Sequence, residues 1–197
     1  MANSMSDSAH PPSSPKGGVV YRWEDCAGFF RRCLATATDA FVLLATAALS
    51  IPLGALWFVF DPQLKGFRPL FFLLWSVFAY LYLVILGPTK IGTLGFILAG
   101  VKVVDLKGKQ PSLPRMTLRF FLLGFALLGP IYILLDLLWL GADGCRQTLL
   151  DKATGTYLVR KQAMPFLDGV QTMVAYQFFG LSLMFPEVKV RREIRTP

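Results

Sequence analysis

Five polar side chains share one face of an otherwise apolar stretch. Arg32, Thr36, Asp39, Thr46 and Ser50 are separated by 4, 3, 7 and 4 residues. At about 100° per helical residue these steps keep them on one narrow stripe, with Leu43 completing the row. A carboxylate inside such a run is costly in hydrocarbon unless it is paired, protonated or set on a water-filled path. Asp39 is therefore a candidate to bind or relay a small cation. The other reading is a clamp: Arg32 precedes Asp39 by two turns, about 10 Å, and a second basic residue such as Arg119 could neutralise it. Desolvation raises a carboxyl pKa and a neighbouring arginine lowers it, so either arrangement could poise Asp39 for proton exchange.

Two more acids stand out. Asp136 sits within Leu134-Leu135-Asp136-Leu137-Leu138, where it either adds a second relay group or reaches the membrane interface. Asp151 lies outside the apolar runs and reads as a cap for the next turn, or as a surface ion pair with Arg146 or Lys152. Other chemistry is poorly provided for. No GxSxG, HExxH or Walker A pattern occurs, and the single histidine, His10, lies in a Ser/Pro tract. Cys26, Cys33 and Cys145 form no CxxC pair, so neither a zinc site nor a disulfide framework is expected. Gly92-Thr93-Leu94-Gly95 is a glycine-containing helix start without a long preceding strand, a poor phosphate loop. Gly95 and Ala99 make a small-xxx-small pair suited to close helix packing. The expectation is no enzyme, no cofactor and no metal.

The surrounding elements must hold these groups in lipid. Of the 197 residues, 54% are apolar and only 16% charged, with a mean hydropathy of +0.53. A soluble domain carries about 25% charged residues. The net charge of +8 speaks first to which loops face the cytoplasm. No basic stripe interleaved with aromatics supports nucleic-acid binding.

Met1 to Gly18 is rich in Ser, Pro and Gly and reads as disordered. Tyr21 to Phe30 sets aromatics beside charges, Arg31 and Arg32 included, like an interfacial helix or anchor. Cys33 to Phe60 is a spanning run with Asp39 as its one charge, a kink expected at Pro52 and a stop at Asp61-Pro62. Leu70 to Gly87 is a second span, ended by Pro88. Val101 to Leu106 and Gly155 to Val159 read as short strands able to pair, on the water side because unpaired edges cannot sit in hydrocarbon. Phe120 to Ala142 is a third apolar run, interrupted at Gly129-Pro130. Ala163 to Phe185 is apolar enough for a fourth crossing. Eight Lys and Arg follow Ala142, so three simple crossings would place them outside; a third element broken at Gly129-Pro130 and returning to the cytoplasm removes the conflict. The predicted fold is thus all-α integral membrane, with three to four transmembrane or re-entrant helices and a small cytoplasmic β-hairpin.

Three ordered motifs carry a family resemblance. Ala27 to Phe41 (AGFFRRCLATATDAF) is similar to the opening motif of the RDD family of membrane proteins, an arginine followed seven residues later by an aspartate. Gly92 to Phe121 resembles the central segment of that family, and Arg146 to Val159 (RQTLLDKATGTYLV) its closing one. The Arg, Asp and Asp that name the family fall on Arg32, Asp39 and Asp151. The chain departs from the common pattern at Phe96, where a lysine is usual, and at Leu150, where a histidine often stands. The resemblance implies a multi-pass membrane protein, with cation/proton exchange proposed for some members and assembly or quality-control roles for others.

The expected domains are a disordered tail (1–20), an RDD-like membrane domain (21–161) and a partly apolar C-terminal extension with a basic tail (162–197). Two functions follow. The first is a homo-oligomeric transporter exchanging Na+ or K+ for H+, with an ion path along Arg32, Thr36, Asp39, Arg119, Asp136 and Asp151. The second is a non-transporting scaffold or assembly factor that binds anionic lipid or a protein partner. Either is expected in the lipid bilayer of a bacterial inner membrane. With no signal-peptide pattern in the first 30 residues, the N-terminus is expected in the cytoplasm.

Overall fold

Helices and strands share the molecule, and the strands gather at one end of the helices. The computed structural model describes residues 17–60, 67–127, 139–141, 143, 146–178 and 181–190. In chain order the elements are β1 (Gly17–Val20), α1 (Phe29–Phe60), α2 (Phe67–Tyr80, continued by a π-helical stretch Leu81–Leu86), α3 (Leu94–Ala99), β2 (Val101–Asp105), α4 (Leu113–Leu127), α5 (Leu149–Thr154), β3 (Thr156–Arg160), β4 (Leu167–Phe178) and β5 (Leu181–Val190).

The all-α expectation is overturned. Two antiparallel sheets are present, β2-β3 and β1-β4-β5, and among the described residues only α1 is long and apolar enough to cross a membrane, over Phe29–Leu49. The second expected span forms a shorter apolar helix, Leu70–Leu86. The fourth, Ala163 to Phe185, forms strands and not the expected helix among the described residues: it supplies β4 and part of β5, paired from Gly169↔Val190 to Phe178↔Leu181. Hydropathy averages over a window and discards period. In β4, Met173 and Ala175 are exposed whereas Val174 and Tyr176 are half-buried, an alternation that only a strand produces. The last residues of the expected disordered tail, Gly17–Val20, form β1 and pair with Val170 to Leu167 of β4. Gly129-Pro130 and Asp136 lie outside the described residues.

Val101 to Asp105 pairs with Arg160 to Thr156, as the two short β-branched segments suggest. This small sheet is covered on both faces. Val101, Val103 and Leu158 pack with Ala35 of α1, Val84 after α2, Ala99 of α3 and Met116 of α4. On the other face Val104, Tyr157 and Val159 pack with Tyr21, Cys26, Leu106 and Ala163, joined by Val19 and Val188 of the larger sheet. Backbone bonds tie the layers: Val19 N–H donates to Leu106 O (2.9 Å) and Phe166 N–H to Val20 O (2.8 Å).

The strands therefore bring chain segments far apart in sequence to one end of α1. Helix α1 leaves this β layer at Phe29, and α2 returns to it at Leu86. Helix α4 leaves at Leu113, and by Trp139 the chain is back, with that indole edge-on to Tyr176 of β4 and Phe185 of β5. Away from the β layer the helices show apolar surface: Phe41, Leu44 and Leu49 of α1 and Phe72, Leu73 and Leu74 of α2 are all exposed. Large apolar side chains thus stand in the open along both helices away from the β layer.

Candidate functional site

The closing motif folds into a local frame before it meets anything distant. Thr148 is the N-cap of α5: its hydroxyl accepts from the Asp151 amide (3.2 Å), and the Asp151 carboxylate accepts from the Thr148 amide (3.3 Å), a reciprocal capping box. Gly155 ends the helix at φ +61°, a left-handed position that suits glycine. The turn fixes the Asp151 carboxyl with no exposed surface. Two guanidiniums converge on it. Arg32 of α1 donates from Nη1 to Asp151 Oδ2 at 2.6 Å, from Nε to Ala27 O at 2.9 Å and from Nη2 to Arg146 O at 2.7 Å. Arg119 of α4 donates from Nη1 to Asp151 Oδ1 and to Thr156 Oγ1 (2.9 Å).

Asp151 is thus a buried link between α1, α4 and α5, and not a surface ion pair. Its two other expected partners are engaged elsewhere: Arg146 stacks its guanidinium 3.3 Å from the Trp23 ring centroid, and Lys152 joins a separate cluster. Burial works against ionising Asp151, but the charges of Arg32 and Arg119 outweigh it and hold the carboxyl down at about 2.

Asp39 has neutral partners. Its Oδ1 accepts from the Tyr82 hydroxyl (2.7 Å) and the Gly95 amide (2.9 Å), and its Oδ2 from the Thr93 hydroxyl (2.8 Å). The Tyr82 hydroxyl also accepts from the Leu94 amide at 3.0 Å. Asp39 is buried, and its work here is to receive the start of α3. The expected clamp onto Arg32 or Arg119 is absent, because both arginines are turned to Asp151. Gly95 makes this approach feasible: an added Cβ would lie 2.2 Å from Ala35 O and 2.7 Å from Asp39 Cγ. The neighbouring Arg31 closes the other end of α3, donating to Ala99 O at 2.7 Å.

A groove of about 490 Å³ runs between α1 and α4. Arg32 and Arg119 stand at its end nearest the β layer, Thr36 and Asp39 along α1, and Leu43 and Leu123 deeper. Of the expected ion path, Arg32, Thr36, Asp39 and Arg119 border this space; Asp151 lies behind the two arginines, and Asp136 is outside the described residues. Thr46 instead bonds back to Leu43 O (2.9 Å).

Some polar ties gave no signal in the sequence. Tyr82 is one aromatic among many in a run read for its apolarity. Thr93 did carry a signal, since Thr followed by Leu-Gly is a reasonable helix cap. The largest omission is Lys152, only 1% exposed, whose ammonium meets Asp143 at 2.7 Å, the Tyr176 hydroxyl at 2.9 Å and the Glu187 carboxylate. Tyr176 and Glu187 belong to β4 and β5, so this cluster docks the C-terminal hairpin onto α5. Desolvation alone would lower the Lys152 pKa; hydrogen bonds to Asp143, Glu187 and Tyr176 reverse the sign and raise it above the ordinary 10.5. Its contribution to stability is then complete below pH 10.5 and fades as alkali removes the proton. Lys152→Met, which leaves two carboxylates without their cation, should cost about 3 kcal/mol. Amide hydrogen exchange should then rise through residues 167–190 and stay unchanged in α1 and α3.

The family comparison fits this geometry. A model described as the RDD family matches residues 26–155. Curated proteins and solved structures return no significant match. The matched stretch holds Arg32, Asp39 and Asp151 and covers about two-thirds of the chain, and the chain belongs to the RDD family.

Proposed function

We propose that this chain is a non-transporting membrane scaffold, in which apolar helices sit in the bilayer and hold a basic β layer at the cytoplasmic face to engage anionic lipid or a protein partner. One observation carries the reading: the signature side chains are spent on one another and on backbone. Arg32 and Arg119 both bond Asp151, and Asp39 accepts three hydrogen bonds that seat α3. These ties join elements 32 to 119 residues apart and suit a fixed frame. Membrane association itself follows from the family and from the apolar span Phe29–Leu49. The cytoplasmic assignment is supported by charge: Lys102, Lys107, Lys109, Arg160, Lys161 and Lys189 all lie in or beside the β layer. A basic surface there attracts anionic lipid by about 1 kcal/mol per residue.

The second reading, exchange of Na+ or K+ for H+, is favoured by one feature, the presence of Asp39 in the wall of the groove. An imposed pH gradient in proteoliposomes separates the two. With Na+ or K+ added in turn, the expected result is no cation-dependent dissipation from the unmodified protein or from a folded Asp39→Asn variant. Flux that appears with one cation and disappears in Asp39→Asn would replace the scaffold by a carrier working through that carboxylate.

A further inference from the structure

We infer that the groove between α1 and α4 is a binding site for one anionic phospholipid, with an acyl chain along the groove and the phosphate at Arg119. The inference rests on the membrane-embedded reading of the helices and adds a defined ligand to it.

Charge at the inner end is the first argument. Arg32, Arg119 and Asp151 leave a local excess of one positive charge there, with Asp151 buried and the two arginines partly exposed at 11% and 15%. Arg32 uses Nε, Nη1 and Nη2 on Ala27 O, Asp151 and Arg146 O. Arg119 uses only Nη1, on Asp151 and Thr156; among the described residues its Nε and Nη2 have no hydrogen-bond partner. Those two nitrogens form one edge of a planar guanidinium, and Arg119 lines the groove. Two parallel donors at a local excess of positive charge match a phosphate or carboxylate oxygen pair.

Shape is the second. From Arg32 to Leu43 the groove follows α1 for about 16 Å, and beyond the arginines its lining is mainly apolar, with Leu43, Leu83, Phe120 and Leu123. Its volume of about 490 Å³ lies within the range of small-molecule sites. The Asp39 carboxylate keeps its charge, since its three donors are neutral, but it stands seven residues, about 10 Å, along α1 from Arg32. Thr36, Ala37 and Ala40 line the groove and are exposed, so it opens sideways on the flank that faces acyl chains. The charged end stands where the helices meet the β layer, the height of lipid headgroups. A bilayer lipid can therefore enter laterally, its tail staying in hydrocarbon.

The test is native mass spectrometry of the full chain in a neutral detergent, with phosphatidylglycerol, phosphatidylcholine or palmitate added back. One phosphatidylglycerol per chain should be retained at least tenfold over phosphatidylcholine. Thr36→Phe, at an exposed groove position that leaves the arginine pair intact, should reduce retention about tenfold. Arg119→Gln should abolish the preference for the anionic lipid; if that variant fails to fold, Thr36→Phe decides alone. Equal retention of the two phospholipids, or retention indifferent to Thr36→Phe, would overturn the site. Palmitate retained in preference to phosphatidylglycerol would overturn the phospholipid assignment, and a dimer lost in Thr36→Phe would give the groove to a second copy of the chain. Retention of the unmodified chain in carbonate-washed membranes reports on membrane embedding separately, so the two failures can be told apart.

Discussion

Asp151→Asn should lower stability by about 3–5 kcal/mol, the effect of removing one partner from a buried ion cluster. Asparagine keeps the shape but replaces one acceptor oxygen with a donor, and both guanidiniums are then left without their counter-charge. The loss should appear as a shift in the urea midpoint, followed by tryptophan fluorescence in detergent micelles, with the slope unchanged. Since Arg32, Arg119 and Asp151 share one network, single effects should not add. Combining Arg119→Gln with Asp151→Asn should cost clearly less than the sum of the two, and strict additivity would mean that the contacts carry no coupling. The acid limb of stability should change as well. A carboxyl held at about 2 against an ordinary 3.8 contributes about 2 kcal/mol. That contribution is fully present above pH 3.8 and is lost as the pH falls through about 2. The unmodified protein should lose stability across that window, and Asp151→Asn should show a correspondingly flatter profile.

That Asp151 matters beyond its own turn was legible only through the family resemblance. Read for its surroundings, Asp151 is a cap for the next turn or half of a surface ion pair; the capping box bears out the first, but nothing in DKATGT announces that the carboxylate is inaccessible. The information lies in partners 119 and 32 residues away, and one chain without long-range pairing data cannot supply it. The Arg32 to Asp39 stripe shows the opposite failure. Helical spacing correctly put both on α1, and proximity within the helix suggested a pair, yet Arg32 points to α5 and Asp39 to α3. Helical geometry sets the face of a side chain but not the partner packed against it.

The strands were legible where turn chemistry framed them. Val101 to Leu106 before Lys107-Gly108-Lys109, and Gly155 to Val159 after a glycine stop, carry both β-branched residues and punctuation, and they pair as β2 and β3. The C-terminal hairpin lacked that frame. Leu167 to Val190 is rich in Val, Leu and Phe, which suit a membrane helix and a half-buried strand equally. What decides between them is tertiary: β4 finds β1 on one edge and β5 on the other, and Lys152 supplies a cation for Glu187. The hairpin lies wholly beyond the family match, yet it is joined to the family domain through Lys152 of α5.

Gly95→Ala should be destabilising by about 3 kcal/mol, with a sign opposite to what helix propensity alone gives. In an exposed helix the same change stabilises by up to about 1 kcal/mol. Here the new methyl would lie 2.2 Å from Ala35 O and 2.7 Å from Asp39 Cγ, and neither can yield cheaply. Ala35 O belongs to the backbone of α1, and the Asp39 carboxylate is held by Tyr82, Thr93 and the Gly95 amide itself. Helix α3 would have to move away, lengthening the bond from Gly95 N–H and leaving a buried carboxylate with weaker donors, on top of the overpacking cost. The disturbance should be local at first: amide exchange should rise in α3 and β2, while the Arg32–Asp151–Arg119 cluster keeps its acid profile. A control separates packing from propensity. Gly124→Ala lies in α4, where an added Cβ meets nothing within 4 Å, and it should be neutral or stabilising. If both variants shift stability in the same direction by similar amounts, the close approach of α3 to α1 is not what holds Asp39 in place.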